Sequence, residues 1–154
     1  MHRRVLPRLV VAILWFAGCG DRTRSVIATD YQIPAGYTGW VTVEFSVAEA
    51  APLVSRDGVR QIRVSASGTL ATATPQQRGI VHNRFFFVDD AGHTTAIEWP
   101  ESMHGADPQT ANRTHDQPVI LRLVTGDATE GNRRRTFEQF YVGRGPSGEP
   151  PGVP

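Results

Sequence analysis

The sequence predicts an all-β fold, either a small antiparallel β-sandwich or a partly open barrel, with seven to eight strands. Short segments alternate apolar and polar residues, and Gly, Pro or Asp-Gly turn signals separate these segments. No apolar pattern with the 3.6-residue period of a helix continues long enough to predict one. Together these observations indicate a domain built from strands alone.

The clearest strand is the segment WVTVEFSV, residues 40–47. From position 41 onward its odd-numbered positions are apolar and its even-numbered positions are polar. This period of two is typical of a strand with one buried face. We therefore expect an aspartate at Val43 to unfold the domain, and an aspartate at Thr42 on the opposite face to be tolerated.

The remaining strands follow in order along the chain. Asp57-Gly58 predicts a tight turn before a strand that contains Ile62 and Val64. Residues 69–74 are expected to return antiparallel to that strand. Four more segments fit strands: residues 80–88, 94–99, 119–125 and 135–143. The sequence DDAGH predicts a hairpin connection between the first two of them.

Three stretches lie outside these strands. Residues 100–118 form a long polar loop, and connections of that length are commonly functional or mobile. Residues 144–154 are rich in Gly and Pro, which predicts a disordered tail. Residues 19–30 are interpreted as a short polar tether, so the β-domain is expected to span residues 31–143.

Residues 1–18 are expected to be a lipoprotein signal peptide. Arg3, Arg4 and Arg8 precede the apolar run from Leu9 to Ala17, and no acidic residue accompanies them. A positive head followed by a short apolar core is typical of secretory signals. The run of nine apolar residues is too short for a membrane span, because crossing a bilayer takes about 20 residues.

The single cysteine follows directly after this run. Phe16-Ala17-Gly18-Cys19 resembles the bacterial lipobox, in which small residues precede a cysteine that is lipid-modified and becomes the new N-terminus. Cys19 has no second cysteine with which to form a disulfide, and attached acyl chains would hold the domain on a membrane. Gly20 follows it rather than an acidic residue, which favours the outer membrane. We therefore expect a protein anchored in the cell envelope by lipid on Cys19.

Charge and composition exclude several function classes. The chain contains no lysine, so neither a lysine Schiff base nor a P-loop lysine can occur. Without the three arginines of the signal peptide, the chain has 13 arginines and 15 acidic residues, which gives a formal net charge of −2. No nucleic-acid partner is expected, because such proteins usually carry a clear positive face. The arginines at 133–135, near Glu130 and Glu138, are interpreted as a solvated charge run.

The segment YQIPAGYTGWVTVEF, residues 31–45, resembles the opening motif of an uncharacterised family of small bacterial β-domains found in lipoproteins and exported proteins. A later Gly-x-Leu-x-Thr step at Gly68, an aromatic strand at residues 85–87 and a closing Tyr-Val-Gly at residues 141–143 fit the same family. The resemblance covers about residues 31–143. It implies a β-rich domain and brings no known activity. The strand pattern alone is also similar to transthyretin-like and immunoglobulin-like sandwiches.

Three aromatic residues are candidates for ligand binding. Tyr37, Trp40 and Trp99 could form a stacking platform for sugar rings. Aromatic residues of β-domains more often fill the core or cover its edges, which is the alternative interpretation.

Three histidines are candidates for a metal site. Imidazole is a common zinc ligand, and His93, His104 and His115 could converge if their loops meet in space. No two of them lie within five positions, the spacing usual for local metal pairs, so histidines in solvated loops are the alternative.

Three function hypotheses follow from these features. The first is a lipid-anchored envelope module that binds or scaffolds a partner, either an envelope protein or a glycan. The second is a carbohydrate-binding module that uses Trp40 or Trp99, and the third is a small metal-assisted hydrolase in the loop at residues 100–118. The sequence contains neither a Gly-x-Ser-x-Gly nor a His-Glu-x-x-His motif. We therefore expect no enzymatic activity, no catalytic residue and no cofactor.

Overall fold

The computed structural model describes residues 27–79, 81–99, 114–130 and 133–145. The predicted signal peptide, Cys19, the first part of the predicted tether, residues 100–113 with His104, and the tail from residue 146 lie outside the described residues. Within the four described ranges, no helix is long and apolar enough to cross a membrane.

The described residues fold into nine strands. In chain order these are β1 (Ile27–Pro34), β2 (Gly39–Phe45), β3 (Val54–Arg56), β4 (Val59–Arg63), β5 (Thr69–Ala71), β6 (Val81–Val88), β7 (Thr94–Ile97), β8 (Val119–Glu130) and β9 (Arg133–Gly143). Two strands are not among the predicted segments: β1, which begins inside the segment assigned to the tether, and the three-residue β3. Residues 27–30 therefore belong to the first strand of the domain.

The strands form two sheets whose inner faces share one core. The five-stranded sheet has the order β3-β4-β1-β6-β7, and the four-stranded sheet has the order β5-β2-β9-β8. An isolated bridge between Glu98 and Val119 is a local contact between β8 and the chain just after β7. The expected all-β sandwich is thus confirmed, and the sheets do not close into a barrel.

Both sheets are mixed rather than purely antiparallel. β1 lies between β4 and β6 and runs parallel to both, and β5 runs parallel to β2. The expectation that residues 69–74 return antiparallel to β4 is wrong, because the turn closed by Gly68 N–H and Ser65 C=O (3.0 Å) leads the chain into the other sheet. Alternation fixes which face of a strand is buried, and it leaves the direction of the neighbouring strand open.

The predicted hairpins are present. Asp57 and Gly58 have φ values of 52° and 77° between β3 and β4, the positive pair that a type I′ turn requires. The DDAGH segment joins β6 and β7, with Gly92 at φ 84°. These turns could be predicted because each depends only on residues that are neighbours in the sequence.

The inner face of β2 follows the predicted alternation. Val41 and Val43 are fully buried, and Phe45 is 2% exposed. Thr42 on the opposite face is only 8% exposed, and its hydroxyl accepts a hydrogen bond from Gln139 Nε2 at 3.1 Å. The premise that this face of β2 is exposed is therefore wrong at Thr42, and the tolerance of Thr42 to aspartate stays a prediction to be tested.

The family-like motif forms a packed corner next to β2. The Tyr37 hydroxyl donates a hydrogen bond to the backbone carbonyl of Trp40, and the Tyr37 ring covers Gly68. Gly68 has φ 79°, and a Cβ there would lie 2.6 Å from that same carbonyl oxygen. The corner therefore explains why glycine follows Ser67 just before β5, since any side chain would collide with the backbone.

Candidate functional site

The inner faces of the two sheets change from apolar to polar along the strands. On β9 the inner-facing residues are, in order toward its start, Val142, Phe140, Glu138 and Thr136. On β6 they run from Phe87 and Phe85 to Asn83. We call the first region, with Ile33, Val41, Phe85, Ile120, Phe140 and Val142, the apolar half. The second, with Gln77, Asn83, Trp99, Thr125, Thr136 and Glu138, is the polar half.

Glu138 is the acidic residue buried in this interior. It lies opposite Val43 in the β2–β9 register and is 9% exposed. The Tyr31 hydroxyl donates a hydrogen bond to its Oε2, and Gln76 Nε2 donates a longer one of 3.4 Å to its Oε1. Both donors are neutral, and no ion pair to Glu138 is found among the residues that the structure describes. The carboxylate thus has two neutral hydrogen-bond donors and no ion pair within the described part of the chain.

Tyr31 holds its hydroxyl toward Glu138 through aromatic packing. Its ring stacks on Phe85 at 4.8 Å between centroids and meets the edge of Phe140 at 5.3 Å. The residue is 1% exposed. Burial raises the pKa of the Tyr31 phenol well above its usual value, and the charge of Glu138 and the hydrogen bond to it raise this pKa further. The phenol therefore stays protonated and acts as a donor at neutral pH.

A cavity of about 780 Å³ opens beside this pair. Its volume lies in the range of sites that bind small molecules, roughly 300–1,000 Å³. Parts of both sheets and the segment after β5 form its wall, and the polar, charged and aromatic lining residues are Ser46, Gln76, Gln77, Arg78, Asn83, Trp99, Thr125, Asp127, Thr136 and Glu138.

Three oxygen atoms of the cavity wall are buried without a hydrogen-bond partner among the described residues. They are Gln77 Oε1, Asn83 Oδ1 and Thr136 Oγ1. Buried polar atoms are nearly always hydrogen-bonded, because an unmade bond costs about 1–3 kcal/mol. All three line the same cavity as Glu138, so water or a ligand in the cavity is the source of their partners.

A β-bulge in β8 turns further polar groups into the cavity. The register shifts between Leu121 and Val124, where Arg122 has φ 52°. The shift exchanges the two faces of the strand beyond it, so Thr125 lies opposite Glu138 on the inner side. A positive φ at a residue other than glycine is strained, and such strain often accompanies functional sites.

The rim of the cavity is charged and exposed to solvent. Asp127 forms an ion pair with Arg134 at 2.6 Å. The hydrogen bond from Arg134 lowers the pKa of Asp127, and the charges of Arg134 and Arg78 lower it further. The charge of Asp127 is therefore offset at the rim, whereas Glu138 in the interior has no such partner among the described residues.

The structure places the three candidate aromatic residues on different surfaces. Trp40 lies on the outer face of the four-stranded sheet, with its ring 5.7 Å from that of Tyr141. Tyr37 covers Gly68, as described above. Trp99 lines the cavity, and its ring meets Phe85 edge-on at 5.6 Å. Trp99 is therefore the member of this set that belongs to the pocket.

The candidate histidines have separate local roles where the structure describes them. His93 Nδ1 lies 3.0 Å from Asp89 Oδ2 in the exposed β6–β7 turn, and this contact is the largest cause of the lowered pKa of Asp89. The His115 backbone N–H donates to the carbonyl of Arg144 at 2.7 Å. His104 lies outside the described residues. No group of three or more His, Cys, Asp or Glu residues placed to hold a metal is found in the described part of the chain.

Glu138 and Tyr31 were missed as site residues by the sequence reasoning. Glu138 was grouped with the neighbouring arginines as solvated charge, and its 9% exposure shows that this interpretation is wrong. The missed signal is the alternation of inward and outward side chains along β9, here called its parity. Phe140 and Val142 set the buried face, and counting back by two places Glu138 on that same face.

Comparison with known proteins supports the fold and leaves the activity open. The structure is similar to the 2.75 Å crystal structure of a "Putative Lipoprotein from Bacillus anthracis", with a TM-score of 0.58 and 21% sequence identity. The match covers 84% of this chain and 85% of that one, and at this identity it shows the shared fold alone. No curated protein matches the chain.

A family of unknown function (DUF6843) matches residues 27–149. The match begins at the first residue of β1, extends through β9 and covers the whole cavity wall described above. The expectation of an uncharacterised family is thereby confirmed, and the chain belongs to the family of unknown function DUF6843.

Proposed function

We propose that this protein is a lipid-anchored module of the cell envelope that binds a small ligand in the cavity between its two sheets. The observation that carries the proposal is the polar half of the interior. Three buried oxygens that have no partner among the described residues and the carboxylate of Glu138 surround one cavity. Burying such groups lowers stability unless they are hydrogen-bonded. A ligand that supplies those hydrogen bonds accounts for their presence.

Two observations support the anchored location. The lipobox-like Phe16-Ala17-Gly18-Cys19 precedes the domain, and the similar Bacillus anthracis structure carries the name of a lipoprotein. Cys19 and Ile27 are eight positions apart, and a fully extended segment of that length spans at most about 29 Å. Ile27 pairs with Val81, which lines the cavity. An anchor on Cys19 would therefore hold the cavity close to the membrane surface.

Native mass spectrometry of the protein purified from its own membranes in mild detergent tests the binding function. We expect the wild type to carry an additional small-molecule mass that is reduced or absent in Glu138→Gln. Glu49→Gln is the matched control, because Glu49 is exposed and does not line this cavity. Equal spectra for the wild type and Glu138→Gln, without bound mass, would contradict a ligand in this cavity.

Substitution of Cys19 by serine tests the anchor. Serine cannot form the thioether that would carry the diacylglyceryl group, so we expect Cys19→Ser to move from the detergent phase of Triton X-114 to the aqueous phase or to accumulate uncleaved. A wild-type protein that is cleaved, has no acyl mass and partitions into water would contradict the anchor. Separation of inner and outer membranes then tests the outer-membrane location, which Gly20 after the cysteine favours.

A carbohydrate is the second candidate ligand, because the Trp99 ring forms part of the cavity wall. Aromatic rings bind the apolar faces of sugars, and the buried oxygens could accept hydrogen bonds from sugar hydroxyls. Under this alternative, soluble glycans should shift the tryptophan fluorescence of the wild type and leave that of Trp99→Phe unchanged.

A further inference from the structure

We infer that the ligand of this cavity presents a primary ammonium group, which binds at Glu138. This inference rests on the proposed binding function and specifies its chemistry. It follows from the kind of groups that line the cavity rather than from its size.

Unsatisfied acceptors in the cavity wall favour a ligand with N–H donors. Two buried amide oxygens, of Gln77 and Asn83, and the buried hydroxyl oxygen of Thr136 have no hydrogen-bond partner among the residues that the structure describes. Amide oxygens only accept hydrogen bonds, and a hydroxyl oxygen can accept as well. These three acceptors are complementary to a ligand that carries N–H donors. An ammonium group carries three donors and no acceptor.

The charges around the cavity favour a cation at Glu138. Glu138 is held by the hydroxyl of Tyr31 and the amide of Gln76, and neither brings a positive charge. A buried carboxylate is strongly destabilised unless a cation compensates it. Asp127 at the rim already has Arg134 as its partner. The place for a ligand cation is therefore at Glu138 and not at the rim.

The aromatic part of the cavity wall also favours an organic cation. Trp99 lines the same cavity, and the face of an indole ring attracts cations. A ring beside a carboxylate and amide oxygens is a suitable environment for an organic ammonium. A metal ion would instead require several carboxylates, and the described residues contain no such group.

Two sources can supply this chemistry: a soluble amine, or an ethanolamine headgroup of the nearby membrane. Calorimetric titration of the full-length protein in non-ionic detergent distinguishes them with four probes. Putrescine represents soluble amines, and 1,4-butanediol is its neutral counterpart of the same length. Glycerophosphoethanolamine represents the headgroup, and glycerophosphocholine is its counterpart without N–H donors.

We expect putrescine or glycerophosphoethanolamine to bind. We expect neither 1,4-butanediol nor glycerophosphocholine to bind. If putrescine binds more tightly than glycerophosphoethanolamine, the source is a soluble amine. If glycerophosphoethanolamine binds more tightly than putrescine, the source is the headgroup. Glu138→Gln should weaken binding by about 30-fold or more, since it removes one partner of a buried charge pair. Glu49→Gln should leave binding unchanged.

Two results would overturn the inference. One is that neither amine gives measurable heat of binding at a concentration of about 10 mM, which is well above the dissociation constant of a specific site. The other is that 1,4-butanediol or a neutral sugar binds as tightly as the amines in a Glu138-dependent manner. The second result would leave the cavity as a binding site and remove only the ammonium, which separates this failure from a failure of the proposed function.

Discussion

The two halves of the sandwich interior contain different kinds of residues and serve different purposes. The apolar half is formed by valine, isoleucine and phenylalanine side chains with little or no exposure, such as Val41 and Phe140. The polar half contains Glu138 and three buried oxygens without partners among the described residues. Burial of apolar side chains stabilises the fold, and buried polar groups without hydrogen-bond partners destabilise it. The apolar half therefore holds the sheets together, whereas the polar half is the part that we propose binds a ligand.

Substitution of Val43 by aspartate should have the largest effect and tests the apolar side of this comparison. Val43 is fully buried and lies opposite Glu138, so the new carboxylate would lose hydration beside another acid. We expect a loss of about 4 kcal/mol or more, against a total stability of about 5–15. Circular dichroism during urea unfolding measures it.

Thr42→Asp is the matched control for this prediction. Thr42 is 8% exposed and hydrogen-bonded to Gln139, so we expect a smaller loss of about 1–3 kcal/mol. Equal losses for Val43→Asp and Thr42→Asp would show that the inner face of β2 has no special role.

Gly68→Ala tests the corner that closes the apolar half. A Cβ at Gly68 would collide with the Trp40 carbonyl, and its φ of 79° disfavours alanine in addition. Gly58 has a similar φ of 77° with open space around it. We expect Gly58→Ala to cost about 1 kcal/mol and Gly68→Ala at least about 3 in urea unfolding. Similar losses of stability in Gly58→Ala and Gly68→Ala would show that the corner accommodates a Cβ at Gly68 without strain.

Stability at alkaline pH tests the burial of Tyr31 in the polar half. The pKa of Tyr31 is raised well above 10.0 in the folded protein, so the unfolded chain releases its proton first. Its contribution to stability is complete below pH about 10 and is lost as the pH rises toward the folded pKa. The free energy of unfolding should fall more steeply above pH 10 in the wild type than in Tyr31→Phe. Parallel curves would contradict a buried phenol.

Much of the fold could be predicted from the sequence because local patterns determine it. The buried face of β2 follows from alternation, and the turn at Asp57-Gly58 follows from two adjacent residues. The parallel pairing of β1 and β5 could not be predicted, since it depends on where the chain crosses between sheets.

The candidate site depends on contacts between distant parts of the chain. Tyr31 and Glu138 are 107 positions apart, and they meet only because the two sheets pack together. The inward turn of Thr125 depends on the bulge at Arg122, which no local pattern marks. The burial of Glu138 could have been predicted from the parity of β9, but the adjacent arginines suggested a solvated surface instead.

Urea unfolding of the double variant Tyr31→Phe with Glu138→Leu tests the central claim most directly. If the polar half serves a ligand rather than the fold, removing both partners together should leave the free energy of unfolding within about 1 kcal/mol of the wild type, or raise it. Tyr31→Phe alone should be less stable than the double variant, since it removes one of the two hydrogen bonds to the buried carboxylate. A loss of about 3 kcal/mol or more in the double variant would contradict the claim and show that this pair is part of the structural core.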